Sequence, residues 1–110
     1  MPSRTGFTAQ ERALYSKLRQ LLATPGLIRG SLVDMRWTCG KATCGCAADA
    51  RRRHRSLYLG LSVRGRRRML FIPSAWEPRV REWTARYADV RAVLEALSRE
   101  SVQRLERREE

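Results

Sequence analysis

The sequence predicts a small α+β domain built from an N-terminal helix, a Cys3His loop, a β-hairpin that a third strand can join, and a long C-terminal helix. Three observations carry this. Leu14, Leu18, Leu21 and Leu22 recur at helical spacing. Leu57, Leu59, Leu61 and Val63 alternate with Tyr58, Gly60 and Ser62, the period of a half-buried strand. From Trp76 onward the apolar residues return to helical spacing. A chain of 110 residues is read as one domain, with a helix over 8–23, the loop and hairpin over 27–73 and the long helix over 74–108.

The first helix has a start and a stop. Thr8-Ala-Gln-Glu11 fits a capping box, in which two side chains satisfy backbone N–H groups that lack a partner at a helix start. Thr24-Pro25-Gly26 ends it. The leucine stripe is expected to be core against the second helix. Residues 27–37 alternate loosely and read as a strand leading into a loop over 38–55. The hairpin spans 56–73, with Arg64-Gly65 as its two-residue turn and 66–72 as the return strand.

The long helix begins at Ser74 or Ala75, which leaves Pro78 in the first turn, where its missing N–H costs little. Trp76, Val80, Trp83, Tyr87, Val90, Leu94 and Leu97 follow a heptad seam. Its first half is expected to be core. Val90, Leu94 and Leu97 also suit a short coiled coil, and so a partner surface for a homodimer or another protein. The charged tail 104–110 is expected to fray.

All the cysteines lie in one run, Cys39-Gly-Lys-Ala-Thr-Cys44-Gly-Cys46, and the only histidine, His54, follows it. Thiolates and an imidazole this close in sequence suit a tetrahedral Zn²⁺, with Gly40 and Gly45 permitting the tight turns. The fourth ligand is His54, Asp49, a water or a partner's group. Two other readings compete: a redox pair of Cys39 with Cys44 or Cys46, whose thiol pKa values the nearby positive charge would lower, and plain buried cysteines. A closed four-ligand site leaves no open coordination position, so the expected role is structural.

The net charge is +12, and of 23 basic residues only Lys17 and Lys41 are lysines. Arg51, Arg52, Arg53 and Arg55 follow the cysteines, Arg64, Arg66, Arg67 and Arg68 surround the hairpin turn, and Lys41 lies inside the cysteine run. If the hairpin folds beside the metal loop, both arginine groups can lie on one surface that follows a phosphate backbone, with Trp37 or Tyr58 available to stack on a base; the other reading is two separate solvated charge runs. The expected partner is nucleic acid, DNA or RNA. No Gly-rich phosphate loop or paired carboxylates are evident, which argues against an enzyme. No apolar run approaches the length of a membrane span, residues 1–7 lack a signal-peptide core, and the odd cysteine count argues against a secreted disulfide scaffold. The expected location is the cytoplasm.

Arg29-Gly-Ser-Leu-Val-Asp34, then Thr38-Cys-Gly-Lys-Ala-Thr-Cys-Gly-Cys-Ala47, then a hairpin and a helix containing Val80-Arg-Glu-Trp-Thr-Ala-Arg-Tyr87, resembles a family of small prokaryotic proteins associated with mobile elements and transposases. The resemblance covers about residues 27–97, and the Thr-Cys-Gly-Lys-x-x-Cys-x-Cys stretch is its specific part. Members follow the cysteines with His-Gly-Pro-Tyr; here the matching stretch is His54-Arg-Ser-Leu-Tyr58. The resemblance implies His54 as the fourth ligand and a mobile-element setting. The function expected is a non-enzymatic, zinc-stabilised nucleic-acid-binding accessory protein. The rivals are an adaptor docking through its last helix and a thiol redox sensor.

Overall fold

A computed structural model of the chain describes residues 6–108. In chain order it contains α1 (Ala9–Leu21), β1 (Ser31–Trp37), β2 (His54–Val63), β3 (Arg66–Ile72) and α2 (Glu77–Glu106). This is the predicted α+β order, with the third strand present. The chain divides into two compact units: Ile28–Thr84, and the described residues up to Leu27 together with those from Ala85 on.

In the unit Ile28–Thr84, the strands form an antiparallel sheet in the order β1-β2-β3. Leu57 pairs with Asp34 and Ile72, and Leu59 with Leu32 and Leu70. Strand pleating sends these side chains to one face. There Leu57, Leu59 and Ile72 are buried with Val80 of α2, and Ile28, Leu32 and Leu61 pack around them. Burial of each such side chain contributes roughly 1.5–3 kcal/mol. β1 starts at Ser31 rather than at residue 27 because the Ile28 N–H goes to the Trp83 carbonyl (3.2 Å) instead of to a neighbouring strand. The ligand loop ends sooner than predicted, since His54 and Arg55 already belong to β2.

Arg64 and Gly65 have φ of 52° and 79°. Positive φ at both central residues is the type I′ geometry that matches strand twist. Pro78 sits in the first turn of α2. Trp76 and Trp83 meet edge to face at 6.1 Å, and the Arg79 guanidinium lies 4.8 Å from the Trp76 ring. Arg55 reaches Asp34 at 2.8 Å and Glu77 at 3.4 Å, which joins β1, β2 and the start of α2.

In the other unit, Thr8 caps α1 with the predicted box: the Glu11 N–H donates to Thr8 Oγ1 (3.0 Å), and the Thr8 N–H donates to Glu11 Oε1 (2.9 Å). Glu11 is buried and also takes Arg104 of α2 at 2.9 Å. The Thr8 backbone hydrogen bond, then Arg104, hold its carboxyl below the ordinary carboxylate value despite burial. Arg86 donates to the Pro25 (3.1 Å) and Gly26 carbonyls.

The heptad seam departs from its expected course beyond Val90. The buried residues there are Val90, Val93 and Leu97, while Leu94 is 50 % exposed. Val80 in the first turns of α2 packs on the sheet, whereas the residues from Ala85 on belong to the unit that contains α1, so the helix does not keep one neighbour along its length. Val90 and Leu97 are therefore covered within the chain and do not form an open partner surface with Leu94. Of the charged tail, residues 109 and 110 lie outside the described residues, as do residues 1–5 at the start.

Gly65→Ala places a Cβ at positive φ and should cost about 1–2 kcal/mol in urea unfolding. Glu11→Gln keeps a capping residue but loses the charge facing Arg104. Because the folded-state pKa of Glu11 is depressed, its contribution is present above the unfolded value and is lost as pH falls through the folded one. The difference in Tm between wild type and Glu11→Gln should be largest near neutral pH and shrink below about pH 4. A gap independent of pH would overturn this account.

Candidate metal centre

The loop over 38–53 joins the end of β1 to the start of β2. Its only buried residue is Cys46, which is 2 % exposed. Its backbone is held by two short 3-10 turns, Gly45–Ala47 and Ala50–Arg52, and by the Cys44 N–H donating to the Lys41 carbonyl (3.1 Å). Gly40 has φ of +82°, the left-handed conformation that the turn out of Cys39 requires. Gly45 serves differently: its missing Cβ leaves room for the Arg52 side chain, which would come within 2.7 Å of one.

These turns bring four ligand atoms together. The sulfurs of Cys39, Cys44 and Cys46 and a ring nitrogen of His54 all lie within 4.8 Å of one another. Cys39 Sγ is 3.6 Å from Cys46 Sγ, and Cys44 Sγ is 3.5 Å from His54 Nε2. A tetrahedral cation with metal–sulfur arms of about 2.3 Å has edges of roughly 3.5–3.8 Å. The donor set is thus arranged at metal-binding distance. Asp49 is not part of it. Its carboxylate caps the second turn, accepting from the Arg51 N–H at 2.9 Å and meeting the Arg51 side chain at 3.4 Å. His54 is the group that joins the three cysteines.

The electrostatics suit a bound cation. The Cys39 N–H donates to Cys46 Sγ (3.5 Å), as amides commonly do to metal-bound thiolates. Hydrogen bonds to Cys46, first through its backbone, and to Cys39 bring the Cys44 thiol below its ordinary value. For Cys46 the Cys39 N–H bond acts in the same direction, but burial and the neighbouring sulfurs outweigh it and push the thiol up. Sulfurs this crowded ionise together only when a cation balances them. Arg52, folded across Gly45, adds positive charge beside the thiols.

Trp37 also belongs to the site. It pairs with His54 across β1 and β2, and its ring lies 4.8 Å from the imidazole at an interplanar angle of 30°. Its indole N–H donates to Ser56 Oγ (2.8 Å), which fixes the ring against the histidine. The available signal was the strand register: Trp37 ends one strand and His54 begins the next.

The basic residues do not form one patch. Arg51, Arg52, Arg53 and Lys41 lie at the metal end of the sheet. The other group lies at the hairpin turn, at the far end of the ten-residue β2, about 30 Å away. Pleating also divides that group. Arg67 pairs with Ser62, on the face opposite Arg66 and Arg68, which pair with Val63 and Leu61. Arg55 is taken up by Asp34 and Glu77. No protein-family model, curated protein or solved structure matches the chain.

Protein purified without added metal should carry about one divalent ion per chain by elemental analysis. Cys46→Ser should reduce this to a trace, and Asp49→Ala should leave it unchanged. Full metal content in Cys46→Ser, or three freely titratable thiols in the wild type, would rule out the centre.

Proposed function

We propose that this protein is a non-enzymatic, zinc-stabilised nucleic-acid-binding accessory protein. Zn²⁺ is the ion that a closed set of three thiolates and one imidazole suits best, and its role here is to set the loop between β1 and β2. The observation that carries the binding reading is the state of the arginines. Arg52, Arg53, Arg64, Arg66, Arg67 and Arg68 are exposed, and none has a carboxylate partner among the described residues. Unneutralised guanidinium groups on a chain of net charge +12 suit phosphate oxygens.

A non-catalytic role is supported by what the polar groups are engaged in. The only histidine lies in the ligand cluster, and Glu11, Asp34, Asp49 and Glu77 each face an arginine. No helix among the described residues is long and apolar enough to cross a membrane. A cytoplasmic location, where thiols stay reduced, fits three cysteines without a disulfide. The family resemblance adds a mobile-element setting to the proposal. The adaptor reading keeps only Leu94 of its three surface residues, since Val90 and Leu97 are buried.

Affinity for a labelled oligonucleotide should fall steeply with salt, with a slope of about −0.7 per phosphate contact on a single strand. Replacing Arg66, Arg67 and Arg68 together by Ser should flatten that slope by roughly 2. Arg55→Ser, which removes an already paired group, should leave it unchanged. No binding at low salt, or an unaltered slope in the triple variant, would sink the proposal.

A further inference from the structure

One face of the sheet carries the core, and the other carries residues that a covered face does not need. The second face includes Val33, Tyr58 and Phe71 side by side in register, Met35 and Trp37 toward the metal end, and Met69 and Arg67 toward the hairpin turn. Four of its large side chains are open to solvent, Phe71 being 55 % exposed, Met35 45 %, Trp37 44 % and Met69 41 %, while Tyr58 and Val33 among them are half-buried. Contiguous apolar surface of this kind marks an interaction site. Scattered singly, such residues would need no explanation; here they share one face of one sheet.

The chemistry of the face points to its occupant. Tyr58 and Phe71 meet edge to face at 5.7 Å, which leaves ring surface open rather than closing it in a stack. Beside them Gly60 has no side chain, and the Arg67 guanidinium lies over it, where a Cβ would meet Arg67 Nη2 at 2.8 Å and Ser31 Oγ at 3.4 Å. A guanidinium therefore lies on the aromatic face itself. Exposed arginines stand at the metal end, where Arg53 lines a surface pocket with Trp37, and at the turn, Arg64. The metal loop helps to hold Trp37 at one end through its contact with His54. A face with rings in the middle and cations at both ends matches a chain with flat bases and regular phosphates. A duplex keeps its bases stacked inside and cannot offer them to a flat sheet.

We propose that the open face of the sheet is a stacking platform for single-stranded nucleic acid, with bases on Phe71, Tyr58 and Trp37 and phosphates on Arg67 and the flanking arginines. This rests on the nucleic-acid reading above and narrows it to unpaired strands.

The test is fluorescence anisotropy of the metal-replete protein with a labelled oligo-dT and with a mixed-sequence duplex of equal length. The single strand should bind at least about tenfold tighter. Phe71→Ala should weaken single-strand binding by about fivefold to a hundredfold, the range for loss of one base–aromatic stack. Its salt slope should stay as in the wild type, because no phosphate contact is lost. Phe71→Trp should restore affinity, which separates stacking from any loss of fold. Val63→Ala, on the opposite face and about half exposed, should change nothing. Equal affinity for both probes, with Phe71→Ala neutral and the salt slope intact, would overturn the platform and leave phosphate binding standing. Binding of neither probe at low salt would overturn both. Self-association in sedimentation that Phe71→Ala abolishes, with no strand preference, would reassign the face to protein contact.

Discussion

The convergence of three sulfurs and one imidazole at the end of β1 and β2 is the constraint on which the rest depends. The loop between these strands carries one buried residue, so hydrophobic packing cannot specify its path. Ligand geometry can. Cys39 follows β1 by two residues and His54 opens β2, so closing the cluster also brings the two strand ends together. The pairing of Trp37 with His54 belongs to the sheet and to the metal centre at once. In a small domain with a limited core, a site of this kind stabilises what apolar area alone would leave marginal.

The second organising rule is the two-residue period of the strands. It divides β2 into Leu57 and Leu59, which face the core, and Tyr58 and Gly60, which face outward. It divides the Arg66-Arg67-Arg68 run in the same way, so a charge cluster in sequence is not a cluster in space. Only Arg67 reaches the aromatic face. Arg55 shows a different fate, held by a carboxylate from β1 and another from α2. An exposed pair of this kind adds little stability, but it orients the chain leading out of the metal loop.

Local features were legible in the sequence and long-range ones were not. The capping box at Thr8 and Glu11, the Arg64-Gly65 turn and the place of Pro78 depend on residues within a few positions of each other, and all stand as read. The ligand set was readable because its members are close in the chain; the choice of His54 over Asp49 needed the turn that commits Asp49 to the backbone. The course of α2 past Val90 was not readable. A heptad pattern assumes one neighbour along its length, whereas Val80 packs on a sheet and the buried Val93 lies in the unit that contains α1. Which of the two arrangements the arginine groups take was not readable for a related reason. Strand length sets them apart, and nothing in their composition records distance.

The buried pair of Glu11 and Arg104 joins residues 93 positions apart. The unit Ile28–Thr84, by contrast, is continuous in the chain. During synthesis the continuous unit has all its residues, and all four metal ligands, as soon as Thr84 emerges from the ribosome. The unit built from both ends must wait, with Glu11 lacking its partner, until Arg104 is available. Order of assembly is thus written into the connectivity: the sheet and its metal loop can close first, and the helix pair completes the fold last.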